Sequence, residues 1–146
     1  MVYPKLLKIL KDYWYKMKIL GIGVDIIDNR RIKKSIKSNK FKSRIYSFKE
    51  LELSKKTKNK VAFFSKRFAA KEAFSKALGT GFSSNLNFKD IEITNDKKGM
   101  PKYVENKKIL KILQKKYKIK KFNSFLSISD EKNYSTAFVI IQSIWN

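Results

Sequence analysis

The sequence predicts an α+β fold, a single domain in which a mostly antiparallel sheet wraps around one long buried helix. Three observations carry this expectation. The chain has 146 residues, the size of one domain and enough for a core without staples. Its hydrophobic period alternates between 2 and 3.6 in the order β-α-α-α-β-β-α-β-β, with short turns between neighbouring strands. And one stretch, residues 58–78, is apolar around nearly its whole helical circumference, as only a buried helix can be.

Taken in order, KILGIGVDII (18–27) is β-branched and reads as a strand. Alternation puts Leu20, Ile22, Val24 and Ile26 on one face and Gly21, Gly23 and Asp25 on the other. Two glycines beside an aspartate mark a face that another backbone or a ligand approaches closely. Residues 28–46 are basic, with periodic Ile32, Ile36, Phe41 and Ile45, and read as helix. Ser47 and Glu50 form the S-x-x-E capping box of a short helix, SFKELELSKK. Thr57 is placed to cap the long helix and Gly79 to stop it. Within that helix Ser65, Glu72 and Lys76 share one narrow stripe flanked by Phe68 and Ala69. Residues 80–87 read as a loop, FKDIEITND as a strand, DKKGMP as a turn and KYV as a short strand. Residues 105–118 form a basic amphipathic helix. FLSISD and YSTAFVIIQSI are joined by EKN and read as a hairpin.

Composition excludes whole classes of chemistry. There is no cysteine, hence no disulfide, thiol nucleophile or thiolate metal site. There is no histidine, so the commonest general base, the usual zinc sites and every His-dependent triad are absent. The net charge of +23 suits a polyanionic partner, although lysines scattered along the whole chain are also what a solvated surface looks like. No apolar run approaches the ~18 residues of a membrane span. Residues 1–16, MVYPKLLKILKDYWYK, read as an N-terminal extension of open status, and residues 17–146 as the domain, because Met17 opens MKILGIGVD like a natural start. The extension lacks the apolar core and cleavage site of a secretory signal. It could be a short helix or a helix lying on a membrane surface.

Of the 12 carboxylates, two stand in apolar surroundings: Asp25 in a strand and Glu72 in the long helix. Two hard oxygen donors from different elements suit Mg²⁺, which takes one or two carboxylates and fills its shell with water and phosphate oxygens. Lys76, one turn beyond Glu72, could offset charge on a phosphate. The structural alternatives are an ordinary i,i+4 pair for Glu72 and Lys76 and a strand-end cap for Asp25. The Gly21-x-Gly23 pair lacks the third glycine and the opening helix of a dinucleotide fingerprint.

GIGVDIIDNRRI, FFSKRFAAKEAFSKALGTGF, FKDIEITNDKKGMP and FLSISDEKNYSTAFVII resemble, in order and at the right spacing over about residues 17–142, four motifs of one family. They are those of the phosphopantetheinyl transferases of the small trimeric holo-acyl-carrier-protein synthase type, and the chain is thereby identified as a member of that group. The resemblance implies transfer of 4′-phosphopantetheine from coenzyme A to a serine of an acidic acyl carrier protein, in support of fatty acid synthesis. It implies Mg²⁺ on Asp25 and Glu72, with Asp25, Glu72 and Lys76 catalytic and Lys76 assisting the leaving phosphate. Glu72 is the preferred proton acceptor. It implies coenzyme A contacts from Arg67, Lys71, Gly79, Thr80 and Gly81, and carrier-protein contacts from Arg30 and Arg31. It further implies a cytoplasmic homotrimer with sites between subunits, Asp25 and the loop of one meeting the long helix of its neighbour. No specific nucleic acid is expected. One departure stands out: Asp130 occupies a hairpin position where many members carry histidine. A basic nucleic-acid module and a catalytically inactive coenzyme A binder are the competing classes.

Overall fold

The structure is a computed structural model and describes residues 3–82 and 85–144. Its elements are α1 (Pro4–Lys16), β1 (Ile19–Asp28), α2 (Asn29–Ser35), α3 (Asn39–Ile45), α4 (Phe48–Lys55), α5 (Lys60–Leu78), β2 (Ile93–Asn95), β3 (Pro101–Tyr103), α6 (Lys107–Tyr117), β4 (Lys121–Asp130) and β5 (Tyr134–Ile144). The fold is α+β, and every strand pairing is antiparallel. Among the described residues the expected single sheet is two. A three-stranded sheet has the order β1-β5-β4, and β2 pairs with β3 separately.

The long helix α5 lies across the three-stranded sheet, with Phe64, Ala69, Ala73, Phe74 and Leu78 all buried. Burying each large side chain contributes about 1.5–3 kcal/mol. The inner face of β5 supplies Ala137, Val139 and Ile141 to the same core, and α6 closes it with Ile109 and Leu113.

β1 meets α5 through its glycines. A Cβ on Gly21 would stand 1.8 Å from the carbonyl oxygen of Ala77, and one on Gly23 1.8 Å from that of Ala73. The close approach expected from the sequence is therefore an approach of helix backbone. Its consequence is an inverted strand. The glycine face of β1 turns inward, and Ile22, Val24 and Ile26 face outward, each more than half exposed. A register shift between Ile19 and Gly21 breaks the alternation, and Leu20 packs against the core.

Several local expectations are corrected. Residues 28–46 form two helices, because Ser38 starts a second one by accepting from the Phe41 amide. Asn59 caps α5, accepting from the Ala62 amide, while Thr57 donates back to the Leu53 carbonyl and finishes α4. Only Ile93–Asn95 of the stretch 88–96 is strand. Phe88–Asp90 winds into a single 3-10 turn, held by the Asp90 carboxylate accepting from the Asn87 amide at 2.7 Å. The Ser47–Glu50 capping box and the closing hairpin are as expected, with β4 starting earlier, at Lys121.

Candidate active site

Asp25 reaches α5 because the two glycines ahead of it let β1 lie on the helix backbone. Lys76 Nζ donates to Asp25 Oδ1 at 2.8 Å and to the Val24 carbonyl at 3.0 Å. The Asp25 carbonyl accepts from Thr136 Oγ1 at 2.8 Å, which pins the strand at this point to β5. Glu72 sits one turn before Lys76, half-buried. Its pKa is raised, first by burial and then by the nearby Asp25 carboxylate, while Lys76 pulls it back down. The two carboxylates, 47 positions apart in sequence, are thus close enough for Asp25 to act on Glu72. Within one protomer Asp25 meets the long helix of its own chain, through Lys76.

Two carboxylates and one ammonium leave this spot electronegative on a chain of net charge +23. Uncompensated carboxylates brought together in partial burial cost free energy unless a cation joins them. All-oxygen donors fit Mg²⁺ rather than a softer metal. Among the described residues no three or more His, Cys, Asp or Glu side chains are grouped so as to hold a metal ion. Asp25 and Glu72 would therefore hold such an ion together with water or substrate oxygens. The rest of the expected polar stripe divides: Lys76 is exposed, Glu72 is half-buried, and Ser65 is fully buried with no hydrogen-bond partner for its hydroxyl among the described residues.

Lys71 is corrected outright as a cofactor contact. Its ammonium is 0% exposed and pairs with Glu50 Oε2 at 2.8 Å. It also donates to the carbonyls of Ile91 at 2.6 Å and Phe88 at 3.0 Å. Burial pulls its pKa down, and Glu50 opposes this. All three ammonium protons are thereby placed, and none faces solvent. The neighbour on the helix, Arg67, is also mostly buried. Its guanidinium lies 3.6 Å from the Phe63 ring centroid and donates to Asn95 Oδ1 at 3.1 Å. It does line a cleft of about 650 Å³ with Lys66, Asn95, Gly99, Pro101 and Asp130. Asp130 pairs there with Lys66 at 3.4 Å.

This cleft lies at the first half of α5, and Glu72 and Lys76 at the second. Arg67 and Glu72 are five positions apart, about 7.5 Å of rise and about 140° around the helix, and the Arg67 guanidinium is engaged with Phe63 and Asn95. Gly79 ends α5 in the left-handed conformation, at φ +68, and Thr80 and Gly81 continue the loop just past Lys76. Arg30 and Arg31 are both exposed at the start of α2. Asp28 holds the Arg30 guanidinium through both carboxylate oxygens, with a shortest contact of 2.6 Å. A larger cavity of about 670 Å³, between β3, α6 and β4, contains none of the expected site residues.

Sequence reasoning took Glu50 for a helix cap alone. It also accepts from the Ile93 amide at 3.1 Å, so one buried carboxylate joins α4, α5 and β2. Its only sequence signal was the S-x-x-E spacing, which is blind to distant partners. Asn29 was passed over too; buried, it donates to the Glu131 and Lys132 carbonyls and holds the turn beside Asp130.

Residues 21–139 match the 4′-phosphopantetheinyl transferase superfamily. The chain is 63% identical to the holo-[acyl-carrier-protein] synthase of Pelagibacter ubique (strain HTCC1062), over 86% of this chain and 98% of that protein. It superposes on the holo-[acyl-carrier-protein] synthase of Neisseria meningitidis with a TM-score of 0.75 and 36% identity, covering 85% of this chain and 98% of the other. A third likeness is the Bacillus anthracis holo-(acyl-carrier-protein) synthase in complex with CoA (3′,5′-ADP). Its TM-score is 0.72 at 37% identity, covering 86% of this chain and 97% of that one. The match spans the glycine strand that delivers Asp25 and the helix that carries Glu72 and Lys76, and on that footing the chain belongs to the 4′-phosphopantetheinyl transferase superfamily.

Proposed function

We propose that the protein transfers the 4′-phosphopantetheine arm of coenzyme A to a serine of an apo-acyl carrier protein, yielding holo-carrier and 3′,5′-ADP, with Mg²⁺ required. The observation that carries this reading is the convergence of Asp25, Glu72 and Lys76 in a fold shared with proteins of that activity. Residues 17–146 form the transferase domain in this reading, and it acts in the cytoplasm in support of fatty acid synthesis.

Asp25 and Glu72 would hold the metal, which when bound supplies positive charge against the diphosphate of coenzyme A. The carrier serine oxygen forms a bond to the β-phosphorus as the bond from that phosphorus to the bridging oxygen breaks. Glu72 takes the hydroxyl proton, a role helped by a pKa already raised by burial and Asp25. Lys76 offsets charge on the departing 3′,5′-ADP; its ammonium is about half exposed and can turn from Asp25 towards the phosphate. Gly79, Thr80 and Gly81 border the cofactor. Arg30 and Arg31 meet the acidic carrier, which the overall positive field also steers.

We further infer a homotrimer. The outer face of the three-stranded sheet exposes Ile22, Val24, Ile26, Phe125 and Phe138. Val24 pairs with Phe138, and Ile22 with Ile140, so the patch is continuous. A contiguous apolar face of this kind marks a protein interface, and copies of the chain are the occupant. Assembly would let the Arg67-lined cleft of one subunit face the carboxylates of another.

The test is incubation with coenzyme A, Mg²⁺ and apo-carrier protein, followed by mass spectrometry of the carrier. A phosphopantetheine mass gain that EDTA abolishes is expected. No gain with Mg²⁺ present overturns the reading, and full activity of Glu72→Gln removes Glu72 from it.

A further inference from the structure

The helix α1 stands outside everything the transferase reading uses. The family match begins at residue 21, beyond it. Every residue from Tyr3 to Lys11 is exposed. That includes four large apolar side chains: Leu6 at 49%, Leu7 at 45%, Ile9 at 53% and Leu10 at 45%. A 13-residue helix is marginal in water by itself. Its stability has to come from whatever covers its apolar side.

The side chains are segregated. At 100° per residue Ile9, Leu6, Leu10 and Leu7 fall in an arc of about 160°. Lys5, Lys8 and Lys11 occupy the opposite arc, and Lys5 and Lys11 stand next to its two edges. Lysines at those edges can bury their methylenes beside the apolar face and keep their ammonium groups in water. The segment from Pro4 to Lys11 has no acid, and the first turn of the helix has none. The rest of the chain adds to the same positive field, with a net charge of +23 overall.

We propose that α1 is an interfacial anchor that lays its apolar face into an anionic phospholipid surface. Segregation of this kind and positive charge at the borders are what a helix lying in the headgroup plane requires. Charge complementarity selects an anionic over a neutral surface. No helix among the described residues is long and apolar enough to cross a membrane, so the attachment is peripheral and reversible. The proposal is independent of the transferase reading, because no residue of α1 belongs to the candidate site.

The experiment is co-sedimentation of the full chain with vesicles of phosphatidylcholine containing phosphatidylglycerol, against phosphatidylcholine alone. The comparison protein is the full chain carrying Leu6→Ser and Leu10→Ser, which leaves every charge in place. Partitioning onto the anionic vesicles is expected, with a loss of at least about tenfold in the double variant. Weak binding to neutral vesicles and unchanged transfer activity in solution are expected alongside. Equal sedimentation of the two proteins means that the charge of the body binds and α1 does not, and overturns the proposal. So does the absence of binding to anionic vesicles. A drop in native mass in the double variant assigns the apolar face to another copy of the chain, and overturns it as well.

Discussion

Glu50→Gln tests whether the buried carboxylate at the junction of α4, α5 and β2 holds the helix that carries the site. Glu50 is 0% exposed and accepts from Lys71 at 2.8 Å, the Ser47 amide at 2.8 Å and the Ile93 amide at 3.1 Å, with Arg67 Nε at 4.0 Å. Glutamine keeps the shape but offers one acceptor oxygen and no charge. Lys71 is then a buried ammonium without a counter-charge. Breaking a buried pair from one side costs about 3–5 kcal/mol. A chain of 146 residues has an unfolding entropy of about 0.3 kcal/mol/K, so the Tm should fall by about 10–16 °C. Circular dichroism melting reads this directly. The double variant Glu50→Gln, Lys71→Met removes both charges and should be less destabilised than the sum of the singles by about 2 kcal/mol or more. A single-variant Tm within about 2 °C of the parent, or strictly additive singles, would refute the reasoning.

Gly23→Ala should be severe, because the new Cβ would stand 1.8 Å from the Ala73 carbonyl. β1 must lift from α5, and we expect about 3 kcal/mol or more lost in urea melts together with transfer activity. A stable, active variant would contradict the close packing. Val24→Lys places a charge on the outer sheet face at a position 57% exposed. The native mass should fall towards the monomer while far-UV circular dichroism is retained; an unchanged mass would show that this face is not the interface. Lys76→Met removes the cation that holds the Glu72 pKa down. In the metal-free protein the Glu72 carboxyl carbon should titrate above the usual glutamate range, and higher still in the variant, while transfer falls by about 100-fold. The sign follows from charge: without the ammonium, the anionic form loses an attraction and protonates at higher pH. An NMR midpoint that does not move would break the link between the two side chains.

Much of this was legible along the chain because it is set locally. The S-x-x-E box, the glycine stop after Leu78 and the E-K-N hairpin turn depend on neighbours within a few residues, and each forms as its spacing requires. Asp25 and Glu72 were legible as misfits, carboxylates in apolar segments. Family resemblance located Arg67, Lys71 and the loop by position alone, with no information on which way a side chain turns.

By itself, then, the sequence determined the fold class, the approximate run of elements and the chemically scarce residues, since periodicity and local capping are properties of nearest neighbours. The tertiary structure alone decided which faces are covered. A period of two says that Ile22, Val24 and Ile26 share a side, but the glycines opposite permit contact with α5 backbone, and so the apolar side faces out. A lysine in the most specific motif became a core residue, because Glu50 and two carbonyls from elsewhere in the chain meet its ammonium inside. Side-chain direction follows from which distant groups can satisfy a buried charge, and that choice exists only once the chain has closed on itself.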